Sequence, residues 1–340
     1  MAVSANGRGR RLHLVLAVFA AFLALFGSSS VAYADPGTDD EGGTQALREK
    51  LEAAARGYYD VKAVLTASQA RQAEIAERLK VAQEGLAQLS VQIGTVAAAR
   101  YKGSQMGVLN GLITGEGDPR TLLQGAAVAD YLVWRDDTYL RLYRTTKDEA
   151  EKQQALLDAE LKIQAEQLAA LDAQKREAEK ALAGVGGMVT AGYTGNSVDA
   201  QPADRTADGY FPREGCSYDD PTKTGGCITP RMYHTLNEAR LAGFTHYVSC
   251  WRSATWGEHP QGRACDFAAS PNGFGGIAAG DDRDYGNRLA AWAVHNAEAL
   301  GIMYVIWFRQ VWFPGSGWRS YSGVGDPATE HTNHVHISML

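Results

Sequence analysis

The sequence predicts an α+β domain over residues 209–340, a small antiparallel sheet with helices, preceded by a long α-helical coiled-coil region. Three observations predict it. A heptad pattern runs from Leu47 to Val96, a glycine-rich stretch interrupts the helical pattern at 184–208, and beyond Tyr210 short helical and strand-like segments rich in aromatics, glycine and cysteine take over.

The first 34 residues read as an export signal. Arg8, Arg10 and Arg11 form a basic start, Leu12 to Phe26 an apolar run of about fifteen residues, and Ala32-Tyr33-Ala34 a small-residue cleavage site. An uncleaved anchor is the alternative, but a span needs about 20 apolar residues. The expected location is therefore secreted, in the bacterial cell wall. Export implies an oxidising compartment in which disulfides persist. All four cysteines, Cys216, Cys227, Cys250 and Cys265, fall in the C-terminal domain. Four cysteines allow three pairings between which spacing does not choose; the pairing adopted as the expectation is Cys216–Cys227 with Cys250–Cys265.

Residues 44–183 are expected to form a coiled-coil helical hairpin. The first seam alternates by four and three from Leu47 through Leu51, Ala54 and Tyr58 to Ile93 and Val96, broken only by Ser68 and Gln72. The pattern stops near Gly103. Met106 to Ile113 is a short apolar segment, and Asp118-Pro119 reads as an N-cap followed by proline at the first helical position. The second helix runs to about Leu182, with an expected seam of Leu157, Leu161, Gln164, Leu168, Leu171, Lys175, Ala178 and Leu182. A break between two long helices suggests an antiparallel pair; a parallel dimer is the alternative. Residues 184–208, with Gly184, Gly186, Gly187, Gly192 and Gly195, read as a flexible linker.

Within the last domain, Arg231 to Ala242 is a predicted helix closed by Gly243, and Ala278 to Leu300 contains another. Met303 to Phe308 and Val335 to Met339 are predicted strands.

Two clusters carry chemistry. In His259-Pro260-Gln261-Gly262, proline and glycine sit at the second and fourth positions of a turn, which folds the chain back so that Asp266 approaches His259. In His331-Thr332-Asn333-His334-Val335-His336, His334 and His336 project from one strand face, and His331 must be brought round by the preceding loop. His259, Asp266 and His336 make an N, O, N donor set with one coordination position left open, the layout of a catalytic zinc site rather than a structural one. His334 and His331 are the candidates for handling a proton beside it.

These motifs, His259-x-x-Gly262-x-Ala264-x-Asp266 and His334-Val335-His336, resemble those of the zinc peptidase superfamily that includes lysostaphin, D-Ala-D-Ala metallopeptidases and the hedgehog signalling domain. The likeness is closer to VanY-like D-alanyl-D-alanine carboxypeptidases and related murein endopeptidases. It implies zinc on His259, Asp266 and His336, and extra histidines, His331 and His334, as catalytic groups. Cys250-Trp251-Arg252-Ser253 is similar to an upstream segment whose arginine faces the substrate carbonyl, which gives Arg252 that role. Two positions depart from the pattern: Gly257 replaces a serine common before the first histidine, and Asn333 stands where another branch has a glutamate base. The base is then His331 or His334, or a displaced Glu330. The N-terminal half more loosely resembles coiled-coil regions of secreted actinobacterial wall hydrolases.

The expectation is a secreted zinc metallopeptidase that hydrolyses peptide bonds in peptidoglycan stem peptides, as carboxypeptidase or endopeptidase. The coiled coil would offer a docking arm for a membrane or divisome protein. A non-catalytic wall-binding or hydrolase-activating protein is the alternative. The formal net charge of −6, in a chain without a long Lys/Arg run, argues against a nucleic-acid partner.

Overall fold

The computed structural model describes residues 44–101, 119–195 and 197–340. The predicted export signal, the 102–118 break and the Asp118 cap lie outside the described residues. Two long helices come first, α1 (Gln45–Tyr101) and α2 (Pro119–Leu182). They pack antiparallel: Gly57 faces Gln174, Ser68 meets Glu160, and Leu79 and Ala82 pack with Ala150. Among the described residues no helix is long and apolar enough to cross a membrane.

The hairpin seam differs from the predicted one in its second strand of residues. Leu161 and Leu168 are exposed, while Glu160 and Gln167, one residue earlier, are buried. Polar pairs explain the shift. Ser68 Oγ donates to Glu160, Arg71 bonds the same carboxylate, and Gln164 donates to Gln72 at 2.8 Å. The two positions that break the first apolar seam thus meet polar partners on α2, while Leu157, Gln164, Ala178 and Leu182 keep their predicted places in the seam. A buried polar layer of this kind fixes register at some cost in stability.

After a short 3-10 turn come β1 (Gly186–Val189), β2 (Tyr218–Asp219), β3 (Cys227–Ile228), α3 (Pro230–Leu241), β4 (Val248–Ser249), β5 (Ala264–Ala268), α4 (Gly280–His295), α5 (Ala297–Leu300), β6 (Ile302–Trp307), β7 (Gln310–Phe313), β8 (Gly317–Tyr321) and β9 (His334–Met339). Seven strands form one antiparallel sheet in the order β1-β8-β7-β6-β9-β5-β4, and β2 pairs with β3 in a small hairpin. The α+β class is as predicted. So is α3: Thr229 caps it by accepting from the Met232 N–H, Pro230 opens it, and Gly243 follows its end at a φ of 94°. Both disulfides adopt the expected pairing, Cys216–Cys227 and Cys250–Cys265.

The stretch read as a flexible linker is tied to the domain. Gly186 to Val189 form an edge strand against β8, Thr190 N donates to Trp318 O, and Ala200 and Ala203 N donate to Asn296 Oδ1 and Ala299 O. Its glycines serve the turns into that strand, as at Gly186 and Gly187, both with positive φ.

The sheet has two occupied faces. Val305, Trp307, Val335, Ile337 and Phe267 point towards α3 and α4 and form the larger core with Met232, Leu236, Leu289 and Trp292. Trp307 and Trp318 are buried in this core. The opposite face carries Tyr304, Ile306, Val311, Phe313 and Tyr321, which pack with Leu51, Ala54, Ala55, Tyr59, Ala178 and Leu182 of the hairpin base. The helical arm and the α+β domain therefore share a core. The candidate site stands on that second face.

Candidate metal centre

The register of β5 and β9 assembles the site. Asp266 lies directly opposite His336, Ala268 opposite His334, and Ala264 opposite Ser338. Cross-strand partners project from the same face, so Asp266, His334, His336 and Ser338 all stand on one side of the sheet. The small Ala264 and Ala268 leave room beside Asp266. His259 arrives from the turn before β5. Its carbonyl accepts from Gly262 N at 2.9 Å, the predicted turn bond. Gly262 is required there: its φ is 69°, and a Cβ would fall 2.5 Å from Cys216 Sγ and 2.6 Å from Cys227 O.

One donor atom from each of His259, Asp266 and His336 lies within 4.8 Å of the others, and all three residues are buried. His259 Nε2 is 3.3 Å from His336 Nδ1 and 3.1 Å from Asp266 Oδ2; His336 Nδ1 is 2.8 Å from Asp266 Oδ1. A tetrahedral zinc ion with bonds of about 2.0–2.1 Å spaces its ligand atoms about 3.3 Å apart. The cluster has that scale.

The far side of each imidazole is also held. His259 Nδ1 donates to the Cys250 carbonyl, leaving the Nε2 lone pair turned to the site. Nε2 of His336 lies 2.7 Å from Ser338 Oγ; with the hydroxyl as acceptor, Nδ1 presents its lone pair. Outer partners of this kind orient metal-binding histidines. Burial pushes the Asp266 carboxyl up, but the His259 and His334 imidazoles and hydrogen bonds with His259 and His336 outweigh it and hold it well below the ordinary carboxylate range. Burial pulls His336 down to about 3, against the raising effect of Asp266. An ionised carboxylate beside a neutral imidazole is the state that ligates a cation.

The other predicted residues surround this cluster. His334 Nε2 is 3.4 Å from Asp266 Oδ1, and its Nδ1 is 2.7 Å from Asn333 Oδ1. His331, at a φ of 50°, is turned into the site by the loop before β9; its ring centroid is 4.7 Å from that of His334 and 5.6 Å from that of His336. Its Nε2 is buried and has no hydrogen-bond partner among the described residues. Burial, then His334 and His336, press its pKa well below the ordinary value. Arg252, partly exposed, donates from Nη1 to Asp266 Oδ2 at 2.8 Å. Glu330 is paired with Arg309 instead of facing the cluster. His234, His246 and His295 bond to Gln201 O, Ala269 O and Asp199 elsewhere.

Sequence reasoning missed Ser338, Asn333 as a partner of His334, and Tyr304, whose ring lies 11° from the plane of His336 at 5.5 Å between centroids. Ser338 was legible in one respect, since its two-residue spacing from His336 puts both on one strand face. Nothing local to Tyr304 marks it.

A family model described as the VldE C-terminal domain matches residues 224–332. The match includes His259, Asp266 and His331 and ends before His334 and His336. No curated protein and no solved structure matches the chain.

Proposed function

We propose that the chain is a zinc-dependent peptidase acting outside the cytoplasm on stem peptides of peptidoglycan. The observation that carries this reading is the convergence of His259, Asp266 and His336, with donor atoms 2.8–3.3 Å apart on a buried strand face. The motif likeness to VanY-like and lysostaphin-type peptidases supports the substrate class, and the two disulfides fit an oxidising compartment.

The three residues would hold the ion, and the chemistry such an ion supplies is acidification of a water, towards a pKa of about 7, with polarisation of a carbonyl. His334, aligned by Asn333, takes the water proton at Nε2. The same imidazole returns that proton to the leaving nitrogen, and His331 packs against its ring at 4.7 Å between centroids. Arg252, at the partly open edge, faces the oxygen of the scissile carbonyl and stabilises the charge that develops there. The arm is where a protein partner would dock: Val91, Val128, Tyr131, Val133 and Trp134 are exposed on the half of the hairpin away from the sheet.

A second reading rests on Arg252. Its guanidinium already neutralises Asp266, and a site closed by that ion pair would bind wall peptides without turnover. Mass spectrometry of peptidoglycan digested with the zinc-loaded mature chain separates the two. The peptidase reading expects new stem-peptide fragments that disappear with His336→Ala; an unchanged digest from the zinc-loaded chain contradicts it.

A further inference from the structure

The first two turns of α1 reach the rim of the candidate centre. Arg48, buried, donates from Nη1 to the Tyr304 hydroxyl at 2.6 Å. Tyr304 stands opposite Ser338 in the β6–β9 ladder, and its ring lies nearly parallel to the His336 imidazole. The same guanidinium lies 5.2 Å from the ring centroid of Trp256, three residues before His259. One turn along, Glu52 accepts from Arg263 at 3.0 Å, and Arg263 also pairs with the buried Glu258 at 2.6 Å. Arg263 directly precedes β5, which carries Asp266. Both ligand-bearing segments therefore touch the base of the arm.

An imidazole that binds an ion must keep its plane as well as its tautomer. Ser338 and Asp266 meet the two nitrogens of His336 in the plane of the ring and leave its tilt about the line between them to be set by packing on its face. The Tyr304 ring covers the face of the imidazole, and the Arg48 bond anchors the hydroxyl end of that ring. We propose that Arg48 is a positioning residue for the metal centre, acting through Tyr304, so that docking of the helical arm and binding of the ion stabilise each other. The proposal rests on the zinc reading above. Linkage makes the effect reciprocal: whatever the arm contributes to ion affinity, the ion returns to arm docking.

The test uses the full mature chain and zinc, with affinity measured by chelator competition and amide hydrogen exchange followed over residues 45–60. Tyr304→Phe keeps the ring and the core shape but removes the hydroxyl; Arg48→Met removes the charge. Each is expected to weaken zinc binding about tenfold, the lower end for outer partners of a metal ligand. The double variant is expected to lose no more than either alone, since both break one link. Zinc is expected to slow exchange at 45–60 in the unaltered chain and to do so less in Tyr304→Phe. Undiminished affinity in Tyr304→Phe, or losses that simply add in the double variant, overturn the coupling and leave the zinc reading in place. Failure of the unaltered chain to bind zinc removes both.

Discussion

Ser338 Oγ lies 2.7 Å from Nε2 of His336, on the opposite edge of the ring from Asp266. The contact follows from a two-residue spacing on one strand and decides which nitrogen of a buried imidazole faces the cluster. Ser338→Ala is expected to weaken zinc binding by about 10–100-fold while leaving the fold intact, because the ligand remains but its orientation is lost. Chelator competition checks it; unaltered affinity would show that β9 alone positions the ring.

The side chain of Asn333 has two partners. Its Oδ1 meets His334 Nδ1 at 2.7 Å and its Nδ2 donates to Gly275 O at 2.8 Å. Asn333→Ala is expected to lower kcat by about 10²-fold, within the range of a general-base contribution, with zinc stoichiometry unchanged. Steady-state kinetics with metal analysis on the same sample separates the two effects. Loss of zinc together with activity would place Asn333 in the frame of the metal rather than behind the base.

Much of this arrangement was legible in the sequence. The turn at His259–Gly262 needs only proline and glycine at fixed positions, and the H-x-H pair needs only the strand period, so His259 could be placed beside Asp266, and His334 beside His336, from local pattern alone. Their meeting also requires β9 to lie between β5 and β6, a pairing over some seventy residues that no local pattern encodes. Tyr304 and Arg48 were invisible for the same reason, being 256 residues apart. The α2 seam misled because Leu161 and Leu168 look like core residues, whereas burial there follows Glu160 and Gln167. The glycines of 184–208 suggested a flexible linker and did not reveal that the segment supplies an edge strand.

The shared core makes the arm part of the folded unit. Tyr59, buried in α1, donates its hydroxyl to Ile302 O at 2.8 Å and lies 3.1 Å from Ala297 O. Tyr59→Phe is expected to destabilise the chain by about 1–3 kcal/mol, the cost of leaving a buried polar group without its partner. Denaturant unfolding is the measurement, and a midpoint equal to that of the unaltered chain contradicts it.

Glu160 gives the hairpin an acid-sensitive link. Burial pushes its carboxyl up, but hydrogen bonds from Arg71 and Ser68 and the Arg71 charge outweigh that and leave it below the ordinary value. A depressed folded-state pKa stabilises above the unfolded-state value and stops doing so as pH falls through the folded one. Glu160→Gln is therefore expected to melt at a lower temperature than the unaltered chain near neutral pH, with the gap closing as the pH falls through the depressed folded-state value. A gap independent of pH would mean that the carboxylate charge contributes nothing.

Metal content of the purified chain is the most direct measurement of all. Equilibrated with zinc and freed of excess, it is expected to retain one zinc per chain by elemental analysis. His259→Ala, Asp266→Ala and His336→Ala should each retain far less, with far-ultraviolet circular dichroism unchanged. An unaltered chain that holds no zinc, or a His336→Ala variant that holds as much as its parent, contradicts a centre built from these three side chains.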